Sequence, residues 1–119
     1  MFVFCFACHI ECRPQPLGME SGTILNKQIS ASSYATHQEP WKGRLNHRTI
    51  WTPNQEVGNQ YLDITFRPSV KLITGVAMQG HSSKWWWVET YRIKYQLGST
   101  QWMAYKENGI DKVKFVLTA

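Results

Sequence analysis

Along residues 60–66 apolar and polar residues alternate one by one. Leu62, Ile64 and Phe66 share one face, and Tyr61, Asp63 and Thr65 share the other. Such alternation predicts a half-buried strand, because successive side chains of an extended chain point to opposite sides. Arg67-Pro68-Ser69 interrupts it. Residues 70–78 predict a second strand, with Val70, Leu72, Val76 and Met78 in phase and Ile73 and Ala77 behind them, so that both faces are covered. A third run, residues 85–96, has a phase that turns Trp87, Tyr91, Ile93 and Tyr95 inward and Arg92 and Lys94 outward. Leu97-Gly98-Ser99-Thr100 reads as a hairpin turn, and residues 101–105 as a short strand anchored by Trp102. Asn108-Gly109 is a strong turn signal, since both residues tolerate positive φ. Residues 111–117 close the chain, with Val113, Phe115 and Leu117 opposite Lys112 and Lys114.

The first half is more polar. Arg13-Pro14-Gln15-Pro16 excludes a helix interior. Leu17-Gly18-Met19-Glu20-Ser21-Gly22 is rich in turn formers, and residues 23–31 offer Ile24, Leu25 and Ile29 in a short extended piece. Residues 32–41 form a polar loop ending in Pro40-Trp41, residues 42–48 are the densest basic segment, and residues 54–59 form another loop. No stretch keeps a helical period. Short strands separated by turns predict an all-β fold, an antiparallel β-sandwich or jelly roll.

Composition adds partners rather than folds. The chain has 119 residues, 43% hydrophobic and 18% charged, which suits one folded domain with a sizeable core. Its net charge of +5 suits an anionic partner, although charge of this size is also common in domains without one. Six tryptophans are many for this length, and tryptophan favours interfaces and membrane boundaries. No apolar run reaches the ~18 residues of a transmembrane helix. Residues 1–11 read as a leader, either the tail of a secretory signal or the edge of an incomplete gene model. Cys5, Cys8 and Cys12 cluster there. Cys5-Phe6-Ala7-Cys8-His9 matches the C-x-x-C-H haem pattern, but strands rather than haem-packing helices follow it. No second Cys or His pair stands at zinc spacing. Neither a metal nor a cofactor is expected.

The densest chemistry lies between the second and third strands. His81, Ser82, Ser83 and Lys84 make a polar turn, and Trp85, Trp86 and Trp87 follow directly. The strand phase assigns Trp87 to the core. Trp85 shares that phase and faces outward only if the strand begins after it. Trp86 is then the first residue to mutate at the tip.

The order of dispersed motifs resembles the discoidin domain, the type C domain of coagulation factors V and VIII. The matching residues are Cys12, Pro16-Leu17-Gly18-Met19-Glu20-Ser21-Gly22, Ile24, Gln28-Ile29, Ala31-Ser32-Ser33, Arg44-Leu45-Asn46, Trp51-Thr52-Pro53 and Tyr61-Leu62-Asp63-Ile64. They continue with residues 73–80, Trp87-Val88-Glu89-Thr90-Tyr91, Tyr95, Trp102, Tyr105, Gly109 and Lys112-Val113. The resemblance implies a jelly-roll β-sandwich on a secreted protein or an ectodomain, without enzymatic activity. It also implies a domain over residues 12–119 that binds through loops at one end. Those loops correspond here to residues 33–41, 46–50 and 81–86. Trp41, Lys42, His47, Arg48, Ile50, His81, Ser82, Ser83, Lys84, Trp85 and Trp86 are the candidate ligand contacts. Cys12, Arg44, Trp51, Trp87, Tyr91 and Trp102 are expected to be structural. The family continues for several more strands and ends in a cysteine that pairs with the one at the position of Cys12. This chain has no such cysteine after Cys12, so the closing strands are expected to be missing.

The expected function is a binding and adhesion module that attaches to anionic phospholipid through apolar and basic loop tips. Recognition of protein, collagen or glycan is the alternative. Ser32, Ser33, Ser82 and Ser83 form no nucleophile elbow, and no Ser/His/Asp set can be assembled, so catalysis is not expected. Basic and aromatic residues interleave, but no nucleic-acid motif accompanies them. His47 and His81 are candidates for pH sensitivity.

Overall fold

A computed structural model describes residues 2–4, 15–98, 100–111 and 113–115. Cys5, Cys8 and Cys12 lie outside them. The chain divides into two units, Met1–Gln79 and Gly80–Ala119. The first holds β1 (Phe2–Phe4), β2 (Gln15–Pro16), β3 (Ile29–Ala31), β4 (Leu62–Ile64) and β5 (Ile73–Val76). The second holds β6 (Thr90–Arg92), β7 (Lys94–Tyr95), β8 (Met103–Ala104), β9 (Lys106–Glu107), β10 (Ile110–Asp111) and β11 (Val113–Phe115). All strand pairings are antiparallel, and the described residues contain no α-helix.

In the first unit, β3 and β4 pair with Ile29 opposite Ile64, Ser30 opposite Asp63 and Ala31 opposite Leu62. This register follows from the alternation in β4, since slipping by one residue would turn Leu62 and Ile64 to the other face. Leu62, Ile64 and Phe66 pack with Leu17 and Trp41 against a core of Met19, Ile24 and Ile29. The ladder continues beyond both strands. Thr65 N–H donates to Gln28 O at 2.9 Å, and Ser32 N–H donates to Tyr61 O at 3.0 Å. Side chains extend it further: Gln28 Nε2 donates to Thr65 O, and Tyr61 N–H donates to Ser32 Oγ, both at 2.9 Å.

Met19 and Ile24 are brought inward by a tight reversal. Gly18 has φ +110°, and a Cβ there would lie 2.4 Å from the Thr23 Cβ, so only glycine fits. Gly18 O accepts from Gly22 N–H at 3.1 Å and from Ile24 N–H at 3.2 Å. Arg44 holds the same segment from outside. Its guanidinium donates to Met19 O at 2.8 Å, to Ile24 O at 2.6 Å and to Asn26 Oδ1 at 2.7 Å. The Arg-Leu-Asn motif suggested a structural arginine, and the partners prove to be mainly carbonyls. Trp51 is likewise tied down, its Nε1–H donating to Ser33 O at 3.0 Å.

The remaining sheet of this unit has the order β2-β1-β5. Part of the stretch read as a leader thus forms β1. β5 is shorter than the pattern predicted, and Val70 and Leu72 lie exposed before it. The turn that closes with Ser69 N–H on Phe66 O delays the strand. Among the described strands, β5 lies at the edge of this sheet, with β1 as its neighbour.

In the second unit β6 pairs with β11, β7 with β8, and β9 with β10. Asn108 (φ 52°) and Gly109 (φ 76°) make the turn between β9 and β10, as the sequence indicated. β7 and β8 are joined through Gly98, which also has positive φ. The extended run expected from Trp85 begins as a strand only at Thr90. Trp87, expected in the core, and Trp102, expected to anchor its short strand, keep 39% and 48% of their surface exposed. Ladders two or three residues long offer too little sheet to cover an indole.

Replacing Met19, only 2% exposed, by alanine is expected to cost about 2–5 kcal/mol in urea unfolding. Arg44→Lys keeps the charge but loses the fork that reaches two carbonyls at once. It should lose about 1–3 kcal/mol in the same measurement.

Candidate functional site

The candidate contacts form one cluster in each unit. In the first unit, Pro40–Gly43 is a 3-10 turn, with proline at its start where no N–H is needed. It presents Trp41 and Lys42. Trp41 is half-buried, with one part against the core and its ring meeting the His47 ring edge-on at 5.4 Å. Lys42 Nζ stands 5.4 Å from the Trp41 ring centre. This lysine is already occupied, with Glu39 Oε2 at 2.7 Å and His37 O accepting at 2.7 Å. The hydrogen bond from Lys42 is the main cause that holds the Glu39 carboxyl below its ordinary range.

The neighbouring loop is pinned at its base. Asn46 N–H donates to Gln79 Oε1 and Asn46 Nδ2 to Glu20 Oε1, both at 2.8 Å. His47 N–H donates to Arg44 O at 3.3 Å, which links the loop to the arginine that holds the core reversal. His47 Nδ1 accepts from Thr49 N–H at 3.1 Å and lies 3.0 Å from Thr49 Oγ1. Arg48 is exposed and Ile50 half-buried.

In the second unit, residues 81–86 close on themselves. His81 N–H donates to Trp86 O at 2.9 Å, and Trp86 N–H donates to Lys84 O at 2.8 Å. His81 Nδ1 accepts from Ser83 N–H at 3.0 Å and Lys84 N–H at 3.2 Å. Its ring meets Trp86 edge-on at 5.7 Å, and Lys84 Nζ stands 4.2 Å from the centre of the same indole. Among the described residues Lys84 pairs with no carboxylate. Ser82 is exposed. Gly80 allows the tight return, because a Cβ there would lie 3.0 Å from Trp86 O.

The three tryptophans differ sharply. Trp85 is 90% exposed, whereas Trp86 is 47% exposed and held between His81 and Lys84. Trp85 and Trp87 meet edge-on at 6.3 Å. Strand phase placed Trp85 with Trp87, but phase has no meaning where the chain is not a strand, and Trp85 extends outward. Tyr91 is half-buried in β6, opposite Lys114 of β11.

Chemically, each cluster offers an aromatic face, a cation and polar turn atoms. Among the described residues there is no group of three or more His, Cys, Asp or Glu that could hold a metal ion. None of the described helices is long and apolar enough to cross a membrane. The sequence did not signal the histidine acceptor turns, although His-x-Thr at residues 47–49 and His-x-Ser at residues 81–83 place a hydroxyl at the same offset.

Antiparallel strands with aromatic and basic loops define the class as an all-β, loop-presenting domain. The F5/8 type C domain model matches residues 28–117, so the chain belongs to this discoidin family. The match lies within the expected domain of residues 12–119, and the antiparallel pairing agrees with the β-sandwich expected for the family. Neuropilin-2 of Mus musculus is 33% identical over 115 residues, covering 91% of this chain and 12% of the relative. Coagulation factor V of Bos taurus is 36% identical over 118 residues, covering 89% of this chain and 5% of the relative. The non-catalytic subunit of the venom prothrombin activator omicarin-C of Oxyuranus microlepidotus is 36% identical over 107 residues, covering 82% and 7%. The chain therefore spans a small part of each.

Because the folded-state Glu39 pKa is depressed, its pairing with Lys42 is present above the unfolded value and is lost as pH falls through the folded one. In an NMR titration, Glu39 should titrate below the ordinary glutamate value of 4.5. Lys42→Ala should move the midpoint up. An unchanged midpoint would show that Lys42 is not held by this pair.

Proposed function

We propose that this chain is a non-catalytic, extracellular binding module that attaches to anionic phospholipid surfaces through its aromatic and basic loops. The observation that carries the reading is Trp85, 90% exposed, next to Trp86 with Lys84 over its ring. A bare indole costs solvation in water and gains it back at a lipid interface, where its apolar body and polar N–H both find partners. Lysine adjoining it adds attraction to anionic headgroups of ~1 kcal/mol. Trp41 and Arg48 are the matching pair on the first unit, with Lys42 less available because Glu39 holds it. Family membership supports a binding role, and the non-catalytic subunit among the relatives agrees with an absence of enzymatic chemistry.

Recognition of a protein, collagen or glycan would use the same aromatics as pocket-filling or sugar-stacking groups. Similarity to neuropilin-2 and to factor V is nearly equal and does not separate the two readings.

Co-sedimentation with phosphatidylserine vesicles decides between them. The chain should bind at low salt, and Trp85→Ala with Trp86→Ala should weaken binding by about tenfold or more, given ~25 cal/mol per Å² of indole removed from water. Lys84→Gln should weaken it by roughly fivefold and flatten the salt dependence. Absence of binding at low salt overturns the lipid reading and leaves protein or glycan recognition.

A further inference from the structure

The two clusters share one arrangement that the binding reading does not use. In each, a histidine Nδ1 accepts a backbone N–H from the residue two positions on, at 3.1 Å for His47 and 3.0 Å for His81. In each, that residue carries a hydroxyl directed at the same nitrogen, at 3.0 Å for Thr49 and 3.4 Å for Ser83. Each imidazole sets its edge or face at right angles, or nearly so, to a tryptophan (Trp41 at 90°, Trp86 at 79°), and a lysine stands by that same indole.

A backbone N–H can only donate. Nδ1 must therefore carry a lone pair in both loops, and the imidazole must be neutral with its proton on Nε2. Protonating Nδ1 replaces the acceptor by a donor aimed at another donor. In the His81 loop this removes partners from two backbone amides, Ser83 and Lys84. It also sets a second positive charge against the indole that Lys84 already covers. We propose that His81, and His47 in the same manner, is a proton-sensitive latch that orders its loop when neutral and releases it on acidification.

Charged groups stand near both rings. Beside His81, Lys84 lies on the Trp86 partner. His47 faces a more mixed setting. Lys42 stands on its Trp41 partner, Arg48 adjoins it and Arg44 supplies the carbonyl at its N–H, while Glu39 pairs with Lys42 and Glu20 binds Asn46 next door. His81 accepts two backbone amides and His47 one, so the His81 loop has more to lose on protonation.

This inference rests on the loops being the binding tips, but its test does not. Histidine nitrogen NMR of the full chain at about pH 7.5 should show His81 as the Nε2–H tautomer. Solvent-exchange NMR should show the Ser83 and Lys84 amides protected, relative to intrinsic rates at the same pH. That protection should fall about fivefold to tenfold at about pH 5.5, the loss of one ordinary hydrogen bond. His81→Asn supplies a carbonyl that accepts the same amides without titrating, so its protection should be the same at both pH values. His81→Ala should be unprotected at both. An Nδ1–H tautomer at neutral pH, or wild-type protection unchanged by acidification, overturns the latch. Vesicles that never bind overturn the lipid reading alone, because tautomer and exchange are read without them.

Discussion

Arg44 is the contact on which the first unit depends. Its guanidinium collects the carbonyls of Met19 and Ile24, the two most buried residues of the described core, and adds the Asn26 side chain. Those carbonyls lie in a reversal that is not a strand, so no sheet neighbour can satisfy them. Leaving them buried and unpaired would cost a few kcal/mol, about as much as burying the side chains gains. A charged, planar fork solves both at once, which an ammonium cannot. The backbone of Arg44 also receives the His47 N–H, so the residue that secures the core sets the base of a candidate loop.

Much of this was legible in the sequence, for identifiable reasons. The alternation of Leu62, Ile64 and Phe66 fixed β4 and its face, because a single buried side leaves only one acceptable register. Asn108-Gly109 fixed the turn between β9 and β10, because few residue pairs tolerate its backbone. Family resemblance brought the loops forward as candidates. The run from Trp85 to Val88 was misleading, since a pattern of large aromatics reads the same in an irregular loop as in a strand. Periodicity reports which residues would share a face if the chain were extended, and hydrogen bonds made by His81 keep it from being so. Trp87 was assigned inward on the same ground and is 39% exposed.

The histidine turns were beyond sequence reading because nothing distinguishes a histidine that accepts backbone amides from one that merely faces water. Their chemistry is that of an Asx-turn made with a larger ring. The exchange of a carbonyl for an imidazole adds a proton equilibrium to what is otherwise a passive cap. Two loops that share no strand arrive at the same set of groups: a ring that accepts, an indole at its edge and a lysine by that indole.

The lysine on Trp86 has a further effect. A long charged side chain that hangs free in water must give up its rotational freedom whenever it meets a surface, and much of its attraction is spent on that ordering. Lys84 has surrendered part of this freedom in the folded chain, where the indole holds its ammonium. Under the proposed lipid reading, the contact it would make is therefore preorganised. Removing the indole should take away the lysine's orientation along with the aromatic surface, so that losses from the two residues are not additive.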